Sequence, residues 1–201
     1  MISNTQPARL LDFVRSRGMI RPRELQAIDV PRSVLARLVA QGELLKRARG
    51  VYTLPAHQLS RHTSLAEVCK RSPSSTVCLI SALDFHELTT QVPHAVWLMI
   101  DGASKPPTIM QPSIRVVYAS GESLVSGIEI HDIEGVPVRC TTPAKTVVDC
   151  FKYVSHIGKD VAIEALRDCL LQHKATPDEL YEMAIIDRVA NKMQPYLEVL
   201  S

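Results

Sequence analysis

The order of patterns in residues 1–60 constrains the fold more than any other feature of the chain. Apolar residues recur at helical spacing at about residues 8–14 and 34–39, and Pro22 begins a shorter helical stretch at 22–28. Gly18 follows the first stretch and Gly42 the third, and glycine is typical of the position just after a helix. The pattern therefore predicts three short helices in succession.

Two short runs typical of β-strands follow the third predicted helix, at residues 44–46 and 51–54. Residues 47–50 connect them, and Gly50 permits a tight turn. Three helices followed by a hairpin predict a winged helix-turn-helix. The polar stretch 55–63 marks the predicted boundary, so the first predicted domain comprises residues 1–58.

Charge is distributed unevenly along the chain. Residues 1–60 contain ten basic and four acidic residues, a net charge of +6, whereas the remainder contains thirteen and seventeen, a net charge of −4. A polyanionic partner is therefore expected for the first domain and not for the rest.

A winged helix-turn-helix with this charge predicts binding to double-stranded DNA. If the apolar side of the third helix faces inward, its polar residues lie on the outer side, where arginine reads guanine edges or contacts phosphate. The hairpin, or wing, carries three cations suited to the backbone or the minor groove. The predicted DNA-binding residues are Arg21, Arg23, Arg32, Ser33, Arg37, Gln41, Lys46, Arg47 and Arg49. For any one of them taken singly, a merely solvated side chain remains the alternative.

Residues 64–201 form the second predicted domain, which mixes strand-like and helical stretches. Strand-like runs at 96–100, 114–118, 128–133 and 136–139 predict a small, mostly antiparallel sheet. Ser81 is the expected N-cap of a helix through Leu88, and the C-terminal part is helical. The predicted fold class is therefore α+β: an N-terminal winged helix-turn-helix followed by a mixed domain with a helical C-terminal part.

The histidines and acidic residues of the second domain are interpreted as structural rather than as a metal or nuclease site. His86 and His94 lie eight residues apart, but no third metal ligand can be placed beside them. The acidic residues Asp84, Glu87 and Asp101 are not followed by the Glu-x-Lys of a nuclease strand. We therefore predict no metal site.

The residues that could act as a nucleophile or bind an anion are also interpreted as structural. Cys150 lies on an apolar helix face and is interpreted as a core residue rather than a nucleophile. Lys145 is expected to pair with Asp149 one helical turn later. No glycine-rich phosphate loop is present. We predict no catalytic residue and no cofactor.

Cysteine usage and hydropathy indicate the compartment. The five cysteines are odd in number and form no CxxC pair, which is typical of free thiols in a reducing compartment. No apolar run approaches the length of a membrane span, and the polar N-terminus does not resemble a signal peptide. A cytoplasmic protein without membrane contact is therefore expected.

Six segments of the chain together match a known family pattern: residues 20–25, 38–44 and 47–52 in the first domain, and 81–94, 133–138 and 142–150 (Thr-Pro-Ala-Lys-Thr-Val-Val-Asp-Cys) in the second. In these segments the chain resembles the AbiEi-type antitoxins of type IV toxin–antitoxin systems, and the resemblance covers nearly the whole chain. One departure is Asp29, where a glycine is expected in the turn; aspartate tolerates such a backbone better than most residues.

The resemblance implies two activities. The winged helix would bind inverted-repeat operator DNA and repress its own operon, and the C-terminal domain would oppose a toxin similar to nucleotidyltransferases, with or without direct contact. The expected state is a monomer in solution that binds cooperatively on DNA.

Two alternatives remain at this stage. In the first, the chain is a winged-helix regulator whose C-terminal domain senses a ligand or oligomerises, with no toxin partner. In the second, it is an enzyme acting on nucleic acid.

Overall fold

The computed structural model describes residues 5–56 and 60–200. The chain divides into two compact units. The first comprises Met1–Pro73 together with His131–Val138, and the second comprises Ser74–Ile130 together with Arg139–Ser201. The chain is mixed α/β throughout, as the sequence predicts.

The first unit begins with helices and a small antiparallel sheet in the order β1-β3-β2. Its elements in Met1–Pro73 are α1 (Gln6–Arg17), β1 (Met19–Ile20), a 3-10 helix (Pro22–Ile28), α2 (Arg32–Ala40), β2 (Leu45–Ala48), β3 (Val51–Thr53) and α3 (Thr63–Arg71).

The core of this unit consists of the apolar residues that the helical spacing singles out. Leu10 and Val14 of α1 pack with Leu35 and Leu38 of α2, and all four are buried. The turn before α2 has the left-handed conformation, since Asp29 has φ 50° and ψ 51°. Aspartate adopts this conformation at lower cost than most residues, which explains how the turn tolerates the absence of glycine.

Helix α3 belongs to the first unit, although its sequence lies beyond the predicted segment 1–58. It packs on β1 and β3. Lys70 Nζ donates a hydrogen bond to Glu24 Oε1 at 2.9 Å, and Glu24 Oε2 accepts one from the backbone N–H of Arg21 at 2.6 Å. The side chain of Glu24 therefore joins the start of the 3-10 helix to α3.

The second unit contains a five-stranded sheet, in the order β6-β5-β4-β8-β7, and a series of helices. Its elements are β4 (Thr76–Val77), α4 (Leu79–Phe85), β5 (Val96–Asp101), β6 (Ile114–Ala119), α5 (Glu122–Val125), parts of β7 (Ile128–Ile133) and β8 (Val136–Thr141), α6 (Pro143–Lys152), α7 (Val154–Ile157), α8 (Lys159–Leu171), α9 (Pro177–Ile186) and α10 (Ala190–Leu200).

The sheet is mixed, and the expectation of a mostly antiparallel sheet was wrong. β4 pairs antiparallel with β5, but β5 pairs parallel with β6 and β4 pairs parallel with β8. Strand β4 is only two residues long and lies at the centre of the sheet, between β5 and β8. Periodicity in the sequence indicates which residues are strands, but it does not give the direction of their neighbours.

Residues 131–138, where β7 turns into β8, group with the first unit. Glu134 Oε1 accepts hydrogen bonds from the backbone N–H of Ser60 at 2.7 Å and from the hydroxyl of Thr63. Gly135 has φ +76°, and a Cβ atom there would overlap the backbone of Arg17. This turn therefore packs closely against the rest of the first unit and requires glycine.

Candidate nucleic-acid interface

Helix α2 is amphipathic, with an apolar face that is buried and a polar face that is exposed. Val34, Leu35 and Leu38 are buried, whereas Arg32 and Arg37 are exposed. Ser33 and Gln41, the other polar residues predicted on this helix, are exposed as well. The sequence interpretation of which face of α2 is polar is therefore consistent with the burial of these side chains.

The β2–β3 hairpin follows α2 almost directly. The backbone N–H groups of Glu43 and Leu44 donate to the carbonyl of Leu38 at 2.9 and 3.2 Å, which ties the start of the hairpin to the last turn of the helix. Lys46 and Arg49 of the hairpin are exposed. A bulge between Lys46 and Ala48 interrupts the register with β3.

Arg47 differs from the other two hairpin cations. Its side chain is half-buried, and its Nε lies 3.9 Å from Glu67 Oε1 of α3. Burial raises the pKa of Glu67, and the charge of Arg47 partly offsets that rise. This long ion pair, in which Arg47 Nε makes no hydrogen bond to the described residues, gives Arg47 a structural partner that the sequence did not indicate, because Glu67 lies twenty residues away.

Arg21 also points to a partner inside the protein. Its Nη1 donates to the backbone carbonyls of Lys70 at 3.3 Å and Arg71 at 3.0 Å, at the end of α3. Burial, together with the positive charge of Arg23, lowers the pKa of Arg21. Arg21 therefore stabilises the C-terminal end of α3, whereas Arg23 is exposed.

In the second unit, a buried ionic cluster lies between α6 and the residue that ends α9. Lys145 is fully buried; its Nζ contacts Asp149 Oδ1 and lies 2.6 Å from Asp187 Oδ2. Asp187 Oδ1 also accepts from Lys152 Nζ at 3.0 Å and from the hydroxyl of Ser123. The pairing of Lys145 with Asp149 agrees with the expectation from spacing, whereas Asp187 was missed.

The two carboxylates of this cluster have opposite pKa shifts. Burial and the charge of Asp187 outweigh the attraction of Lys145 and raise the pKa of Asp149 to about 7. Burial alone would raise the pKa of Asp187 too, but the charges of Lys145 and Lys152 and the hydrogen bonds from Lys145 and Ser123 lower it. Asp149 Oδ2 is buried and has no hydrogen-bond partner among the described residues, so Asp149 is the less well satisfied of the pair.

Replacing Asp149 with asparagine is expected to flatten the pH dependence of stability. The pKa of Asp149 is about 7 in the folded state and near 3.8 in the unfolded state, so its contribution to the free energy of unfolding decreases as the pH rises through that range. Asp187 acts oppositely, and its contribution is lost only as the pH falls below about 3.8. Urea unfolding at pH values between about 4 and 7 measures the difference.

The matched control for this experiment is Asp160→Asn, since Asp160 is exposed on α8. That variant should retain the pH profile of the parent protein. An Asp149→Asn variant with an unchanged profile would contradict the assignment of the raised pKa to this residue.

The other residues considered as metal ligands or as a nucleophile are His86, His94 and Cys150. His86 is buried, and its Nε2 lies 2.7 Å from the carbonyl oxygen of Thr141, whereas His94 is exposed. Burial and the charge of Asp149 raise the pKa of the Cys150 thiol, which disfavours the nucleophilic thiolate. Among residues 5–56 and 60–200, no three His, Cys, Asp or Glu side chains are arranged to hold a metal ion.

Residues 8–55 match a family model of transcriptional regulators. The family is the one described as "Transcriptional regulator, AbiEi antitoxin", so the predicted resemblance to AbiEi antitoxins is confirmed over residues 8–55. No curated protein matches the chain. Within the described part of the chain, no helix has both the length and the apolar character needed to cross a membrane.

The fold is similar to the crystal structure of the RV2827C protein from Mycobacterium tuberculosis. The TM-score is 0.56 at 13% sequence identity, and the similarity covers 89% of this chain and 71% of that chain. At this level of identity the comparison shows a shared fold.

Proposed function

We propose that the protein binds operator DNA through a winged helix-turn-helix formed by α2 and the β2–β3 hairpin. The observation that carries the proposal is the exposure of the polar face of α2, with Arg32 and Arg37, in a segment that matches regulators. Arginine on such a face contacts guanine edges or phosphate when the helix lies in the major groove. Lys46 and Arg49 on the hairpin then contact the adjacent backbone or minor groove.

The predicted DNA-binding residues fall into two groups, those that are exposed and those whose side chains contact α3. Arg23, Arg32, Ser33, Arg37, Gln41, Lys46 and Arg49 are exposed and form the proposed interface. Arg21 and Arg47 support it indirectly, because their side chains already contact α3. The proposed DNA-binding segment comprises residues 1–58, and α3 supports it structurally.

The antitoxin role is proposed on the basis of the family match. In this proposal the protein binds inverted repeats upstream of its own operon, represses it, and opposes a nucleotidyltransferase-like toxin through residues 64–201. It acts in the cytoplasm, as a monomer in solution that binds cooperatively on DNA, and it has no enzymatic activity. Residues 61–201 carry a net charge of −4, which disfavours a polyanionic partner and supports a separate role for the second unit.

Gel-shift titration with the DNA immediately upstream of the gene tests operator binding. The expected result is a retarded complex that survives an excess of unrelated DNA and weakens steeply as salt increases. A shift that unrelated DNA of the same length competes away equally well would contradict specific recognition.

The toxin role is tested separately, by expressing the product of the neighbouring gene with and without this protein. Growth arrest that the full chain relieves supports the antitoxin role. A neighbouring product without toxicity favours the alternative regulator, whose second unit binds a ligand or oligomerises.

A further inference from the structure

The second unit contains an open cleft of about 760 Å³, within the range of small-molecule sites. Its walls come from the loop before β5, the start of β6 and helix α7, all within this unit. Ile80, Ile114 and Ile157 supply apolar surface. Neither the DNA-binding segment nor the buried ionic cluster contributes to the cleft.

The charged and polar groups around the cleft favour an anion. Arg115, His94 and His156 line it, and no acidic side chain does. Within the described part of the chain, no carboxylate forms an ion pair with the Arg115 guanidinium. An exposed arginine beside an apolar wall, with no carboxylate partner, is suited to the carboxylate or phosphate of a ligand.

The position of the Arg115 side chain is held by stacking. Its guanidinium carbon lies 5.2 Å from the centroid of the Trp97 ring, and the ring of His156 packs edge-on to the indole with centroids 6.5 Å apart. Cation–π stacking restricts the guanidinium before any ligand arrives. Binding an anion therefore requires less ordering of Arg115 than of a free surface arginine.

The walls of the cleft are tied together by hydrogen bonds. Ser81 Oγ accepts from the backbone N–H of Trp97 at 2.9 Å and donates to the carbonyl of Ala95 at 3.3 Å. Ser113 Oγ donates to the carbonyl of His94 at 2.9 Å. These bonds fix the loop before β5 against α4 and β6, so the cleft is built into the fold.

We propose that this cleft binds a small organic anion, with its carboxylate or phosphate on Arg115 and its apolar or planar body against the isoleucine wall. This inference goes beyond the proposed function and does not depend on DNA binding. It gives the second unit a ligand-binding site in addition to any role against a toxin.

Trp97 is the single tryptophan of the chain, so its fluorescence reports directly on the cleft. Benzoate and adenosine monophosphate are titrated into the full-length protein, with benzamide and adenosine as neutral counterparts. We expect a saturable change with at least one anion and binding at least about tenfold weaker for its neutral counterpart, as loss of a charge-assisted contact predicts. The pair that responds distinguishes a carboxylate ligand from a phosphate ligand.

Arg115→Gln should weaken binding of the responding anion by about tenfold or more, with an unchanged circular dichroism spectrum and melting temperature. The matched control is Arg167→Gln on the exposed side of α8, which should bind as the parent protein does. The proposal is overturned if neither anion binds, if the neutral compounds bind equally well, or if both arginine variants behave alike.

Discussion

A Lys145→Met variant is expected to lose about 3–5 kcal/mol of its free energy of unfolding, because removing one partner of a buried ion pair leaves the other charge uncompensated. Lys145 is fully buried, and its Nζ contacts the carboxylates of both Asp149 and Asp187. The charges of these two carboxylates outweigh the effect of burial and raise the pKa of Lys145, so the lysine is held in its charged form. Urea unfolding followed by Trp97 fluorescence measures the loss in the second unit.

A double variant separates the ion pair from the shape of the lysine side chain. Lys145→Met with Asp149→Leu removes both charges, while Asp187 retains Lys152 and Ser123. The double variant should recover much of the stability lost by the single variant, since replacing both members of a buried pair by apolar residues is often nearly neutral. A single variant as stable as the parent would contradict the structural importance of the cluster.

The second large effect is expected in DNA binding. A triple variant with Arg32, Arg37 and Arg49 changed to alanine should bind its upstream DNA at least about a hundredfold more weakly, because each arginine that contacts a base edge contributes about 1–3 kcal/mol. All three side chains are exposed on α2 and the hairpin. Each lost phosphate contact should also reduce the slope of log K against log salt by about 0.9. Titration at several salt concentrations measures both quantities.

Two matched variants sharpen this experiment. Arg167→Ala removes an exposed arginine from α8 of the second unit and should leave both affinity and slope unchanged. Arg47→Ala should change the slope less than Arg49→Ala, because Arg47 is paired with Glu67. Equal effects of the two hairpin variants would show that the ion pair opens on DNA.

Much of the first unit was predictable because its helices are short and amphipathic. The spacing of Val34, Leu35 and Leu38 predicted the buried side of α2 and, with it, the exposure of Arg32 and Arg37. Local rules of this kind need only neighbouring residues. They also predicted the pair Lys145–Asp149, which lies one turn apart on α6.

The features that were missed depend on residues distant in sequence. Arg21 and Arg47 resemble the exposed arginines until α3 packs beside them and supplies carbonyls and a carboxylate. Ser81 was expected to be the N-cap of α4, but it lies inside that helix. Its hydroxyl forms hydrogen bonds with the backbone of Ala95 and Trp97, in the loop before β5 and in β5 itself. Asp187 reaches Lys145 across forty-two positions, which no periodicity indicates.

The first unit includes residues 131–138, and this has a consequence for the folding of the chain during its synthesis on the ribosome. At about 5–20 residues per second, a ribosome needs roughly 3–13 s to extend the chain from residue 73 to residue 138. During that interval Ser60, Thr63 and the carbonyl of Arg17 emerge without Glu134 and Gly135, the residues that pack on them. The unit that begins first is therefore completed late, and the stretch of gene encoding residues 1–73 does not by itself encode the whole of it.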